Sequence, residues 1–217
     1  MKQVLLLGDS IRMFYGKRVS EKLGEEYNVS APSENCRFAA YTHNSLRHWL
    51  PTFPKPDIIH WNNGLWDIGH FYGEAECGTS LPVYLEYLER IAKILLSTGA
   101  KVIFATTTPV HPKREKQTEG MLSTHRNSEI EQYNKAAVEL MQHLGIEVND
   151  LYPLIASNAD DLICEDLIHP SEKGIEVLSD AVCERIRAAK ITERADTVSK
   201  PDVKLEEEYK TMDKIGN

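Results

Sequence analysis

The sequence predicts an α/β chain, a doubly wound sandwich with helices on both faces of a parallel sheet. Two observations carry this. Short apolar runs with polar ends recur along the chain, as suits strands buried on both faces. Between them lie longer stretches with apolar residues at helical spacing, two of them closed by a glycine. Strand and helix alternate without an internal repeat, which is the pattern of a layered α/β domain.

The first strand is Val4–Leu7, and it ends in Gly8-Asp9-Ser10. A helix follows over residues 11–23. Further strands are expected at Asp57–Trp61, Lys101–Thr106 and Gly145–Asn149. The helix expected over residues 81–98 carries Tyr84, Leu85, Leu88, Ile91, Ala92 and Leu95 on one stripe, and Gly99 ends it. A helix over residues 128–144 stops at Gly145. The last, over residues 170–189, places Ile175, Leu178, Ala181, Val182 and Ile186 together. Two connections are long, roughly 62–80 and 107–127, and loops of that length in a compact domain are usually functional. The reading is one domain over residues 1–190. Residues 191–217 form a charged tail with few large apolar groups, expected to be loosely packed or disordered.

Composition narrows the function classes. The 217 residues are 41% hydrophobic and 27% charged, with a formal net charge of -8. That balance argues against nucleic acid or an anionic membrane as the main partner. No apolar stretch approaches the ~18 residues of a membrane span. The start lacks the apolar core of a signal peptide, so a cytoplasmic location is expected. Cys36, Cys77, Cys164 and Cys183 are scattered and are expected to be reduced thiols.

Two short stretches carry chemistry. In open α/β sheets ligands bind beyond the carboxyl ends of the strands, where Gly8-Asp9-Ser10 falls. Gly8 permits a tight turn. Ser10 at a helix start is either a plain N-cap or a hydroxyl beside N–H groups suited to an oxyanion. The second stretch is Asp166-Leu167-Ile168-His169-Pro170. An acid three residues before a histidine can orient the imidazole and stabilise its charged form, the support a nucleophilic serine needs. A metal ligand, or a surface histidine before a helix, is the other reading.

Together the two stretches resemble the SGNH (GDSL) hydrolase superfamily, over nearly all of residues 1–190. The resemblance implies a flavodoxin-like three-layer α/β/α sandwich. It implies Ser10 as nucleophile, His169 as base and Asp166 as the residue orienting it, with no cofactor and no metal. Many members carry Gly-x-Asn-Asp after the third strand, whose Asn donates to the oxyanion. Here the stretch is Trp61-Asn62-Asn63-Gly64-Leu65-Trp66-Asp67, with Trp66 at the place of that Asn. Branches with Asn-x-Gly-Leu-His/Trp-Asp are closer and point to Asn62, then Asn63, as donor. The loop-capping alternative for these asparagines stays open. A backbone N–H from the segment Pro32–Phe38 is expected to join the N–H of Ser10, with Cys36 or Arg37 as the source. Asn35, Arg37 and Trp66 are expected to line the pocket. The Cys36 thiol itself is read as packed, and Asp9 as structural.

The implied activity is a serine esterase acting on a small acyl ester, acetyl before longer chains, on a small molecule or an acylated sugar. Acyl transfer to another acceptor uses the same residues. A metal-dependent hydrolase is the second hypothesis, since His60, His70, His111 and His125 fall in or near the long loops, although no ligand-spaced pair occurs. A silent binding domain on the same fold is the third. Lys113, Arg114, Lys116, His125 and Arg126 can meet an anionic or sugar substrate or form a solvated face. The oligomeric state is open.

Overall fold

The computed structural model describes residues 1–114 and 123–191. The expected tail, apart from Ile191, and Lys116 lie outside the described residues. The elements of the main sheet are β1 (Lys2–Leu7), β2 (Tyr27–Ser30), β3 (Ile58–Trp61), β5 (Lys101–Ala105) and β7 (Glu147–Asn149). They are all parallel and run in the order β2-β1-β3-β5-β7. Counted along the chain, that is the 2-1-3-4-5 order of flavodoxin-like sandwiches, with its topological switch between β1 and β3.

Burial on both faces explains the strand sequences. Val4 to Leu7 and Ile58 to Trp61 are buried without interruption. Helices α1 (Ser10–Leu23) and α8 (Glu172–Ala188) pack against each other, and α2 (Ala39–Thr52), α4 (Leu81–Ser97) and α5 (Asn127–His143) form a second packed group. The three strong helical stripes of the sequence are α4, α5 and α8. Gly99 and Gly145 follow the ends of α4 and α5 at φ 77° and 69°, a region glycine enters without a Cβ penalty.

Two features depart from expectation. Residues 24–56 carry β2 and α2, for which the sequence reading gave no bounds. The buried side of α2 includes Thr42 and Ser45 beside Leu46 and Trp49, so its hydrophobic stripe is faint. The last helix starts two residues later than expected. Ser171 caps it by accepting from the Gly174 N–H at 3.2 Å, while Pro170 sits outside, bridged to Ile163.

The two long connections meet each other. The first holds α3 (Leu65–Ile68) and β4 (His70–Phe71); the second holds β6 (Ser123–Thr124). β4 and β6 pair antiparallel, His70 with Thr124 and Phe71 with Ser123. Among the described residues no helix is long and apolar enough to cross a membrane.

Candidate active site

β1 delivers Ser10 to the carboxyl end of the sheet beside the switch point. The turn is tight because Gly8 lies under α1: a Cβ there would stand 2.7 Å from Arg12 Cβ. Asp9, not Ser10, is the N-cap, its Oδ1 accepting from the Ile11 N–H at 2.9 Å. Ser10 is therefore the first residue of the helix proper. Its hydroxyl is released from capping, and its N–H has no carbonyl one turn earlier in α1 to donate to. Asp9 is fully buried, and that burial pushes its carboxyl up to about 6 against the pull of the Ile11 N–H and the Arg12 charge.

The segment before α8 brings the other two groups. His169 Nε2 lies 2.8 Å from Ser10 Oγ, and His169 Nδ1 lies 2.5 Å from Asp166 Oδ2. Asp166 Oδ1 also accepts the N–H groups of Ile168 and His169, each at 2.9 Å. The turn between acid and base places Leu167 at φ 67°, a strained setting for a branched residue that surrounding bonds hold in place. The His111 N–H donates to Leu167 O at 2.9 Å, and Arg114 Nη1 donates to Asp166 O at 3.3 Å. Partial burial works to raise the Asp166 carboxyl. The N–H and ring of His169 and the N–H of Ile168 outweigh it and hold the group well below the usual carboxylate range. Asp166 is thus the anion facing Nδ1–H, which leaves Nε2 as the acceptor facing Ser10.

Phe14, 43% exposed, stacks on the imidazole with ring centroids 4.7 Å apart and planes 16° apart. It stands one turn after Ser10 on α1, at i+4, so the same face presents both. That i+4 spacing is the only trace of the contact in the sequence.

A cavity of about 140 Å³ opens beside Ser10 and His169, walled by Leu65, Trp66, Phe71 and Ile168 with Ser123 and His125. Its floor comes from α3 and its side from the β4–β6 pair. His125 is buried, with Nε2 3.0 Å from Leu65 O, and burial lowers its pKa to about 4. The neutral ring therefore donates to that carbonyl. A wider open cleft of about 560 Å³ shares Trp66 and Phe71 with the cavity and is further lined by Phe38, Tyr72, Val83 and Tyr87.

Of the three residues expected in the pocket, Trp66 lines it. Asn35 and Arg37 do not. Asn35 Oδ1 accepts the Arg37 N–H at 2.7 Å, and the Arg37 guanidinium lies over the Tyr41 ring. The expected oxyanion donors divide. The Cys36 N–H donates to Gly8 O at 3.2 Å. Asn63 is a staple: Nδ2 donates to Arg37 O and Thr42 Oγ1, both at 2.9 Å, and Oδ1 accepts from the Trp61 indole. Asn62 Nδ2 donates to Ala105 O at 3.0 Å, and its side chain lines a closed space with Ile11, Tyr15 and Thr107 instead of the Ser10 cavity. The capping alternative describes Asn63, whose amide is fully engaged. Among the described residues, the Ser10 N–H and the second N–H of the Asn62 amide are the donors of the expected set that keep a free direction.

The histidines and cations resolve similarly. His60 is sealed in the core, where burial lowers its pKa to about 3, and Asn149 donates to its Nε2 at 3.1 Å. His111 pairs with Asp160 at 3.0 Å. Arg114 braces the Asp166 turn and Ser123 O, while Arg126 pairs with Glu129. Lys113, Arg114 and Arg126 are absent from the residues lining the Ser10 cavity.

No protein-family model and no curated relative matches the sequence. Solved structures do match. The fold is that of the GDSL-type lipases and esterases. A lipase/acylhydrolase from Enterococcus faecalis superposes with a TM-score of 0.71 at 20% identity, covering 89% of this chain and 100% of that one. An acetyl xylan esterase gives 0.68 at 16% identity, with 85% and 99% covered. A carbohydrate esterase family 3 protein from Talaromyces cellulolyticus gives 0.62 at 17%, with 86% and 97% covered.

Proposed function

We propose that the chain is a serine esterase that removes a small acyl group, acetyl first, from an alcohol such as a sugar hydroxyl. The observation that carries this is the Ser10–His169–Asp166 hydrogen-bond chain at the lip of a small apolar cavity. In the first step Ser10 Oγ bonds to the acyl carbon as its proton passes to His169 Nε2. The imidazolium then gives that proton to the departing alcohol oxygen as the ester C–O bond breaks. In the second step His169 takes a proton from water as the water oxygen attacks the acyl carbon, then gives that proton to Ser10 Oγ as the acyl C–Oγ bond breaks and the acid leaves. Asp166 stays ionised throughout and stabilises the imidazolium. The Ser10 N–H, at the positive end of α1, faces the developing oxyanion, and one such donor is typically worth ~10²–10³ in turnover.

Size favours a short acyl group. About 140 Å³ is small beside the roughly 300–1,000 Å³ of pockets for drug-sized ligands. The adjoining cleft is wider and walled by aromatic rings, which suits the alcohol half of the ester. The esterases among the structural relatives support the same reaction class.

The test is a panel of p-nitrophenyl esters from acetate to octanoate and of acetylated sugars, run on wild type and Ser10→Ala. We expect acetate to exceed octanoate in kcat/KM by tenfold or more and Ser10→Ala to abolish turnover. Activity surviving in Ser10→Ala sinks the serine mechanism. Activity lost to a chelator but not to the mutation returns the metal-dependent reading, and a wild type inert across the panel returns the binding-domain reading.

A further inference from the structure

A second cluster of chemistry-bearing side chains lies beyond the Ser10 cavity. His70 from β4, Cys77 from the following loop and Glu129 from the first turn of α5 bring a ring nitrogen, a sulfur and a carboxylate oxygen within 4.8 Å of one another. His70 is 2% exposed, and the other two are half-buried.

Both ring nitrogens of His70 have partners, and those at Nε2 are the chemistry-bearing ones. His70 Nδ1 lies 3.3 Å from Glu74 O. A carbonyl only accepts, so Nδ1 carries a proton. In a neutral ring Nε2 then presents a lone pair. Yet Nε2 faces Glu129 Oε2 at 2.7 Å and Cys77 Sγ at 3.7 Å. A second ring proton pairs with the carboxylate, and the Cys77 thiol has Tyr133 as a further partner. A divalent ion would engage nitrogen, oxygen and sulfur together, since all three lie within 4.8 Å of one another.

Two other readings of the cluster fare worse. A thiol–imidazole–carboxylate relay needs thiol and carboxylate on opposite ring nitrogens, whereas here both approach Nε2. Burial also pushes the Cys77 thiol up, so it is not a ready nucleophile; a bound cation would deprotonate it. Arg126 is the competing positive charge, with Nη1 2.9 Å from Glu129 Oε1 and 3.5 Å from His70 Nε2. It occupies the other carboxylate oxygen from an exposed side chain, so binding of the ion competes with this pair.

We propose that His70 Nε2, Cys77 Sγ and Glu129 Oε2 bind a zinc-class divalent cation, with water as fourth ligand. The mixed nitrogen, sulfur and oxygen set suits zinc. The Glu74 carbonyl on Nδ1–H is the outer contact that fixes a ligating histidine. Binding releases the Cys77 proton to solvent and transfers no electrons. Tetrahedral zinc separates its ligand atoms by about 3.3–3.8 Å; the Sγ–Nε2 spacing of 3.7 Å fits, the Nε2–Oε2 spacing of 2.7 Å must open, and the thiol–carboxylate spacing, within 4.8 Å, must come into the same range. The ion would tie residues 70–77 to α5. Phe71, a wall of the Ser10 cavity, is the neighbour of His70, so the ion would stiffen that wall without touching Ser10.

The test uses the full chain, stripped with chelator and titrated with zinc chloride alone or cobalt chloride alone. We expect one zinc per chain bound more tightly than ~10 µM, with Tm raised by about 5 °C or more at a hundredfold excess over Kd. Cobalt should show a thiolate-to-metal charge-transfer band. That band should vanish in Cys77→Ser and His70→Ala and persist in Cys183→Ser, and Glu129→Gln should weaken zinc by tenfold or more. Binding weaker than ~10 µM in the wild type, absence of the band, or a Cys77→Ser variant that binds as wild type overturns the proposal. Should Cys77→Ser fail to fold, the wild-type cobalt spectrum decides alone.

Discussion

Replacing Asp166 by Asn changes few heavy atoms and reverses one proton. The Asn oxygen can still accept the N–H groups of Ile168 and His169 that Asp166 Oδ1 accepts at 2.9 Å. The turn therefore survives. The amide nitrogen then falls where Oδ2 stands 2.5 Å from His169 Nδ1. It donates, so Nδ1 must accept and the ring proton moves to Nε2. That nitrogen, 2.8 Å from Ser10 Oγ, now points a proton at the hydroxyl it should deprotonate. The anion that stabilises imidazolium is lost as well. Wrong-tautomer substitutions of this kind cost ~10⁴ in kcat, about 5.5 kcal/mol at 1.36 kcal/mol per decade. We expect Asp166→Asn to lower kcat on p-nitrophenyl acetate by ~10³–10⁴ with KM little changed and Tm within a few degrees of wild type. Asp166→Ala should lose the same activity and lower Tm further, since two backbone donors lose their acceptor. A kcat for Asp166→Asn within tenfold of wild type, in a folded protein, refutes the proton logic drawn from these distances.

Three other substitutions test separate links. Phe14→Ala removes the ring stacked on His169; a pair of that kind is worth about 0.5–1.5 kcal/mol, so kcat should fall roughly two- to tenfold with little change in Tm, and an unchanged kcat would show the stack to be passive. His60→Gln tests the buried neutral histidine. Its folded pKa of about 3 lies below the unfolded value, so the wild type gains this stability above pH ~6.5 and loses it as pH falls toward 3, a change of the order of 5 kcal/mol. Urea unfolding between pH 7 and 4 should therefore give a shallower slope against pH for His60→Gln, and parallel slopes would remove His60 as the cause. Gly8→Ala sets a Cβ 2.7 Å from Arg12 Cβ and should cost roughly 1–3 kcal/mol; an unchanged midpoint in urea would show that α1 shifts freely.

Legibility in the sequence followed locality. Ser10 and the Asp166–His169 pair were readable because each depends on a short stretch. The end of an apolar strand positions the first, and a three-residue turn the second. Helices α4, α5 and α8 were readable from their repeating apolar residues, which is why their expected bounds differ from those found by at most two residues. α2 was not, because Thr42 and Ser45 sit on its buried side. The oxyanion donors illustrate the opposite limit. Cys36, Asn62 and Asn63 carry suitable N–H groups, but Gly8 O takes that of Cys36, Ala105 O one of the two of Asn62, and Arg37 O and Thr42 Oγ1 both of Asn63. Those partners arrive from remote parts of the chain, and nothing in the asparagines themselves reveals them.

The sequence by itself determined the strand–helix alternation and the residue types at both ends of the Ser10–His169 contact, because each rests on neighbours within a turn or two of the chain. Tertiary structure alone decided the rest of the site. It placed Phe14 against His169, joined the two long connections through β4 and β6, and set the cavity beside Ser10 at about 140 Å³. These are properties of surfaces packed together from distant segments. A cavity's size and a donor's direction exist only once both sides are present.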